Sequence, residues 1–507
     1  MIKKFLINSF QSKNAAVFLI LLISLATNLL FFDPAKAPFM QPDSYGYVSM
    51  AKELSSFTLT DSATRTPTYP LYLAPFVAFN HLNWAIYGQI FISGITNVLI
   101  FLIAFRITKN ILLSLCCALL VAVDFYLIDF QSQILTESLS SFLITLSLWL
   151  HLKFSIEKTS KKLIFLLIIT DIALIFIRPV LVFLPGIMLL ADGLIKNIFS
   201  KQRNISQLLK QPTIILLLCL QIFTVLWWCN QNRLRHNFFG ISRLSDIALL
   251  GKLIQYDMLK NDPTNNTMPV SAQTIKSIAA KFRNTSTPTL LAIINAPMKE
   301  TISFKEPKDA IKSILFQGNK FPPAKIALDY LIEDAHNTDP FLIYNELSAR
   351  GFSPYNYLRE SNSYFLKEKK LPFLIQTLRI MPRVILVPRT QGTLNPRITE
   401  TFFFHFQIIF YLIISALSPI AVLSATSYLI YTWRKQPSKE NLSLLLIIIP
   451  VWYVWFFVAL LGYGSYNRLM MPVLPLIDML VAFNIYAFIV FLKNRYFPQN
   501  NQIIIIK

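Results

Sequence analysis

Glycine, cysteine and histidine are all scarce, with 12, 4 and 5 copies in 507 residues. So few glycines, none of them in a phosphate-cradling pattern, argue against a nucleotide-binding loop. Cys116, Cys117, Cys219 and Cys229 lie in or beside apolar runs, so no disulfide framework is implied. The histidines are scattered without metal-ligand spacing. Charge is sparse too, at 14% of residues. What is abundant is apolar: 54% hydrophobic residues, 42 of them Phe, and a mean hydropathy of +0.51. A soluble enzyme with a large core has no need of this bias. The composition describes an integral membrane protein.

Apolar runs long enough to span a bilayer recur at about 15–32, 84–105, 111–128, 134–152, 162–177, 180–195, 212–229, 402–431, 441–461 and 469–492. This predicts an all-α polytopic protein of about ten transmembrane helices. The net charge of +21 is best read through the positive-inside rule and does not call for a nucleic-acid partner. Nineteen basic residues, among them Lys3, Lys4, Lys161, Lys162, Arg434 and Lys435, fall on one side of these runs. The opposite short segments hold Lys36, Lys52, Arg65, Arg178 and Arg468. The bias puts both termini in the cytoplasm. Lys3, Lys4, the first apolar run and Ala35-Lys36-Ala37 imitate a signal peptide, but the run is long enough to span and Pro38 disfavours cleavage. The first segment is expected to remain as an anchor.

The sequence therefore divides into an N-terminal membrane domain (1–229, with an outer loop at 33–83), a mainly helical outer domain (230–401) and a C-terminal membrane region (402–507). In the outer domain, SAQTIKSIAAKF, AKIALDYLIEDA and SYFLKEKKLPFLIQTLRIMPRVILV have helical periodicity. The last of these is apolar but interrupted by Arg379, Pro382, Arg383 and Pro388, so it is expected to lie on a membrane rather than cross it.

This topology brings Asp43, Arg65, Asp129, Glu137, Arg178 and Arg468 to one membrane face from distant parts of the chain. Each has a plain structural reading beside a chemical one. Asp43 precedes a helical run and could cap it, or act as a base. Glu137 opens the fourth span, where an unpaired carboxylate is costly, so it needs a partner, a metal or a substrate hydroxyl. Asp129 could cap the entry to that helix. Arg178 and Arg468 could hold phosphate at headgroup depth or snorkel as anchors. Asp171 and Asp478 lie deeper, where helix-to-helix hydrogen bonding is the ordinary explanation. Asp124 has no assigned role.

The motifs PDSYGYVSMAKEL, RTPTYPLYLAPF, LTESLSSFL, IRPVLVFLPG and YNRLMMPVLPLIDMLVA occur in that order. Together they resemble the GT-C superfamily of membrane glycosyltransferases, near the protein O-mannosyltransferase and lipid A aminoarabinose transferase branch. The resemblance covers the N-terminal spans and, more weakly, the last ones. It implies a GT-C-like fold and a catalytic Asp in the first outer loop, which matches Asp43. Many members follow that Asp with a second acid, where this chain has Ser44, and Thr68 replaces a frequent Gly in the Pro-x-Tyr-Pro turn.

The implied activity is inverting transfer of a sugar from a polyprenyl-phosphate-linked donor to a hydroxyl of a glycan, lipid or protein. Asp43 and Glu137 are then the catalytic candidates, and Arg178 and Arg468 the donor-phosphate candidates. Tyr47, Arg65, Tyr69 and Asp129 are candidates for substrate contact. Some branches use a divalent cation such as magnesium or manganese and others none. The expected location is a bacterial inner membrane, with the site facing the periplasm. A lipid-linked polysaccharide polymerase or ligase and a secondary transporter are the competing readings. The transporter is disfavoured because no inverted repeat is visible and the polar residues collect at one face.

Overall fold

The computed structural model describes residues 12–31, 38, 40–58, 64–157, 160–199, 212–259, 268–283, 340–386, 402–435, 439–462 and 466–496. Lys3, Lys4, the Ala35–Ala37 stretch and the helix expected at 324–335 lie outside the described residues.

The chain begins with α1 (Lys13–Phe31), α2 (Pro42–Ser55), α3 (Thr68–Ala78), α4 (Leu82–Thr108) and α5 (Ile111–Ala122). Next come α6 (Phe125–Gln131), α7 (Glu137–Ile156), α8 (Lys161–Ile175), α9 (Leu184–Phe199) and α10 (Pro212–His236). These are followed by α11 (Leu244–Gln255), α12 (Val270–Arg283), α13 (Pro340–Ala349), α14 (Pro354–Glu368) and α15 (Lys370–Leu386). The last four are α16 (Phe402–Lys435), α17 (Lys439–Leu461), α18 (Tyr466–Met470) and α19 (Leu474–Tyr496). No strand occurs among the described residues.

The protein is an all-α polytopic membrane protein. Six helical stretches among the described residues are long and apolar enough to cross a bilayer, or seven if α5 and α6 form one broken span. The ten expected from the sequence are not all of this kind. Helix α7 is 20 residues long but carries Glu137, His151, Lys153 and a series of serines. Helices α8 and α9 have only 15 and 16 residues. The polarity of α7 follows from its position: Ser140, Ser147 and His151 are fully buried among neighbouring helices and do not face lipid. The bend of 54° between α5 and α6 falls at Asp124. Its Oδ1 accepts the Tyr126 N–H at 2.9 Å and caps the short helix that follows.

Two compact units emerge: residues 1–242, 381–458 and 466–507 form one, and 243–380 with 459–465 the other. In the first, α1, α4 and α5 pack around Ala16, Ile20, Phe101, Leu115 and Ala118. Lipid tails are as apolar as these side chains, so specificity comes from close packing and from hydrogen bonds between helices. Asn97 Nδ2 donates to Ser24 Oγ at 2.9 Å, and Tyr411 donates to the Leu120 carbonyl at 2.6 Å. Asp171 behaves as a buried deep acid should, accepting from Ser147 at 2.8 Å and from Gln221 at 3.0 Å. It thereby joins α8 to α7 and α10.

The second unit has a water-type core. Ile247, Leu250 and Leu253 recur at helical spacing on α11, and Ala272, Ile275 and Ile278 on α12; they meet Ile343, Leu347, Leu358 and Phe365. Each buried Leu, Ile or Phe here contributes about 1.5–3 kcal/mol. Leu371, Leu374, Ile375 and Leu378 form an exposed apolar stripe on α15. That helix is not among those long and apolar enough to span.

Candidate functional site

In α2, Pro42 stands in the first turn, where its missing N–H costs nothing. Gln41 is the N-cap, and its backbone N–H donates to Ser44 Oγ at 2.9 Å. The expected capping role of Asp43 therefore passes to Gln41 and Ser44. Asp43 is two residues past that N-cap, so its side chain is left for other partners.

Those partners are arginines. Arg65 Nη2 donates to Asp43 Oδ1 at 2.9 Å, and Arg468 Nη2 donates to Oδ2 at 2.6 Å. Arg468 Nε also donates to Glu137 Oε1 at 2.5 Å, and Arg178 Nη2 donates to the same oxygen at 2.8 Å. The result is an unbroken ionic chain, Arg65–Asp43–Arg468–Glu137–Arg178, of alternating sign. Its exposure is graded. The Glu137 side chain is 0% exposed, Arg178 11%, Arg468 25% and Asp43 33%. Asp43 is the open end of the pair of acids.

Burial pushes the Asp43 carboxyl up, but Arg468 and Arg65 outweigh it and hold the group at about 2, against 3.8 for an ordinary aspartate.

Local contacts explain why these segments meet. Ser44 Oγ is fully buried and donates to the Ile134 carbonyl at 2.8 Å, tying α2 to the turn that delivers Glu137. Ser44 is therefore a tether between this helix and that turn. Gln89 Nε2 holds the same turn through the carbonyls of Gln131 and Gln133, both at 2.9 Å. Glu137 is the first residue of α7, where the helix N-terminus favours a carboxylate. Thr68 also has work to do. Its backbone N–H donates to the Phe176 carbonyl at 3.2 Å and its hydroxyl to Ala173 at 3.0 Å, fastening α3 to the end of α8 just before Arg178. On the other side, Tyr453 donates to the Val180 carbonyl at 2.6 Å. Ser141, one turn into α7, donates to the Pro472 carbonyl at 3.3 Å and keeps the Arg468 segment against Glu137.

Arg178, expected either to bind phosphate or to snorkel, is buried and its guanidinium is paired with Glu137. The aromatic candidates stand behind Arg65. Its guanidinium lies 4.5 Å from the Tyr47 ring centre, and Tyr47 meets Tyr69 edge to face at 5.1 Å. The Tyr69 hydroxyl donates to Gln89 Oε1 at 2.7 Å. Asp129 is not part of the ionic chain through any of these contacts and does not cap α7, whose N-cap is Thr136. It accepts from Gln133 Nε2 at 2.8 Å, and Gln133 accepts from Gln41 at 3.3 Å.

Gly46 escaped the sequence reading. A Cβ there would lie 2.8 Å from Arg65 Nε, so the glycine makes room for the guanidinium beside Asp43. A glycine inside a helical run was the available signal.

Among the described residues, no group of three or more His, Cys, Asp or Glu is placed to hold a metal. The two site acids already give Asp43 Oδ1, Asp43 Oδ2 and Glu137 Oε1 to guanidinium groups.

No protein-family model matches the chain, and no curated protein does. Among solved structures it is similar to ArnT from Cupriavidus metallidurans bound to undecaprenyl phosphate. The identity is 14%, over 88% of this chain and 76% of that one, with a TM-score of 0.32. A likeness this distant bears on neither residue roles nor activity.

Proposed function

We propose that this protein is a membrane glycosyltransferase that moves a sugar from a polyprenyl-phosphate-linked donor to an acceptor hydroxyl, at the periplasmic face of a bacterial inner membrane. The observation that carries this reading is a partly exposed carboxylate, Asp43, paired with Arg65 and Arg468 in an ionic chain that continues through Glu137 to Arg178. The ordered motifs support it independently. A sugar on a polyprenyl phosphate cannot leave the membrane, so its reactive carbon arrives at headgroup depth. Arginine forks suit the phosphate, and an accessible carboxylate suits the acceptor proton.

In the proposed step, the acceptor oxygen attacks the anomeric carbon from the face opposite the phosphate. The carbon–oxygen bond to phosphate breaks as the new glycosidic bond forms, which inverts the centre. The acceptor proton passes to Asp43. The bonding electrons leave with polyprenyl phosphate, whose charge Arg468 and Arg178 balance. Glu137, fully buried, orients those two arginines and does not meet substrate. Tyr47 supports Arg65 from behind. The step needs no resident cation, and acceptors among glycans, lipids and proteins all supply the required hydroxyl.

The test is Asp43→Asn in purified protein with a polyprenyl-phosphate sugar. Loss of a general base lowers turnover by roughly 10²–10⁴, with the protein folded and the donor still bound. Turnover above about a tenth of the normal rate would remove Asp43 from the role.

A further inference from the structure

Asp43 is poorly prepared to act as a base in this arrangement. Both of its oxygens accept from guanidinium groups, at 2.9 Å from Arg65 and 2.6 Å from Arg468. The Tyr47 ring backs Arg65 and carries no charge that would loosen the pair. The two ends of Arg468 differ. Its Nε is fixed to Glu137, which is wholly buried and also held by Arg178. Its Nη2 reaches Asp43 at the open end, where the two side chains are 25% and 33% exposed. One contact is an anchor and the other can be exchanged. A phosphate is the natural competitor for the exchangeable one, because its oxygens match the guanidinium fork.

We propose that Arg468 is a latch on the base: the donor's phosphate displaces Asp43 from Nη2 of Arg468, which stays anchored on Glu137 through Nε, and Asp43 is thereby freed to take the acceptor proton. This rests on the function proposed above. It makes Arg468 a donor-binding residue that also couples two events. Without donor, the carboxylate is held by two cations and does not attack or deprotonate anything that drifts past. With donor seated, Asp43 keeps Arg65 alone and its basicity rises. Proton acceptance is thus restricted to molecules that already hold a sugar to transfer.

The latch predicts that Asp43 competes with phosphate. Binding of polyprenyl phosphate, the sugar-free product, is measured on the full-length protein in nanodiscs. Asp43→Asn should bind it about tenfold more tightly than wild type, since a charge-assisted contact no longer has to be broken. Arg468→Gln should bind it more weakly, and adding Asp43→Asn to that variant should give no tightening. Glu137 retains Arg178 in the Gln variant, so its charge stays paired, and Arg468→Lys provides a second test in which cationic charge remains but the bridge to both acids does not. Unchanged or weaker binding by Asp43→Asn overturns the latch. Tightening of equal size in the Arg468→Gln background also overturns it, because that result is a general effect of removing a negative charge. If wild type does not bind polyprenyl phosphate at all, the proposed function falls with the latch. If wild type binds and only the tightening is missing, the function stands and the latch alone is lost.

Discussion

Arg468 lies 425 positions from Asp43 in sequence, yet its Nη2 donates to Asp43 Oδ2 at 2.6 Å while its Nε holds Glu137. That one side chain joins the start of α2, the start of α7 and the segment just before α19. Three guanidinium groups against two carboxylates leave the cluster with one positive charge, which suits a phosphodiester donor carrying one negative charge.

Arg178→Ala should weaken polyprenyl phosphate binding by about tenfold or more, the effect of a charge-assisted hydrogen bond worth about 1.5–3 kcal/mol. Folded protein in the membrane should change little, because Glu137 keeps Arg468. Lys at this position should recover only part of the affinity, since it lacks the planar fork. Unchanged affinity in the Ala variant would confine Arg178 to holding Glu137.

Glu137→Ala should be costly for stability. It leaves Arg178, 11% exposed, with no carboxylate at the contact it now makes. Breaking a buried pair from one side typically costs about 3–5 kcal/mol, to be read from thermal or denaturant unfolding in detergent. A variant as stable as wild type would show that the arginines are held by something other than this acid.

Gly46→Ala should spare the fold and damage the site. The added methyl would stand 2.8 Å from Arg65 Nε, and the flexible guanidinium end must move off Asp43. Yield and unfolding midpoint should stay near normal, with turnover down by about ten- to a hundredfold, as expected for a small misplacement next to reacting groups. Full turnover would make the Arg65–Asp43 pair dispensable.

His151→Ala tests a second polar cluster far from the first. His151 Nδ1 pairs with Asp192, which Ser155 also contacts, while Nε2 lies 3.5 Å from Asp171 Oδ1, an ion-pair distance rather than a hydrogen bond. All four residues are buried. The variant should lose about 3–5 kcal/mol of stability through uncompensated carboxylates. Turnover per folded molecule should not change, because the helical rise along α7 puts His151 roughly 20 Å from Glu137. A selective loss of turnover would implicate the cluster in the reaction.

Orientation can be read with single cysteines in a cysteine-free background. Phe57, 98% exposed just after α2, and Lys109, exposed at the end of α4, belong to opposite sides in the charge-bias topology. A membrane-impermeant thiol reagent added outside should label a cysteine at 57 and not one at 109. Equal labelling of both from one side would overturn the arrangement.

The sequence by itself determined that this is a helical membrane protein, because long apolar runs have few other stable outcomes where the backbone must satisfy its own hydrogen bonds. It also marked Asp43, Arg65, Glu137, Arg178 and Arg468 as charges out of place near one membrane face, since each is conspicuous against an apolar background. It could not say which acid pairs with which arginine. Local spacing suggested Asp43 as a helix cap, but Gln41 and Ser44 take that place. It offered Asp129 as a cap of α7 or a substrate contact, and the fold caps that helix with Thr136 while Asp129 accepts from Gln133. The polar character of α7 makes sense only once its serines are seen facing other helices. Periodicity and capping signals report on residues a few positions apart. The sharing of Arg468, the burial of Glu137 and the opening at Asp43 arise where separate segments pack, and packing depends on contacts between residues that are far apart in the chain.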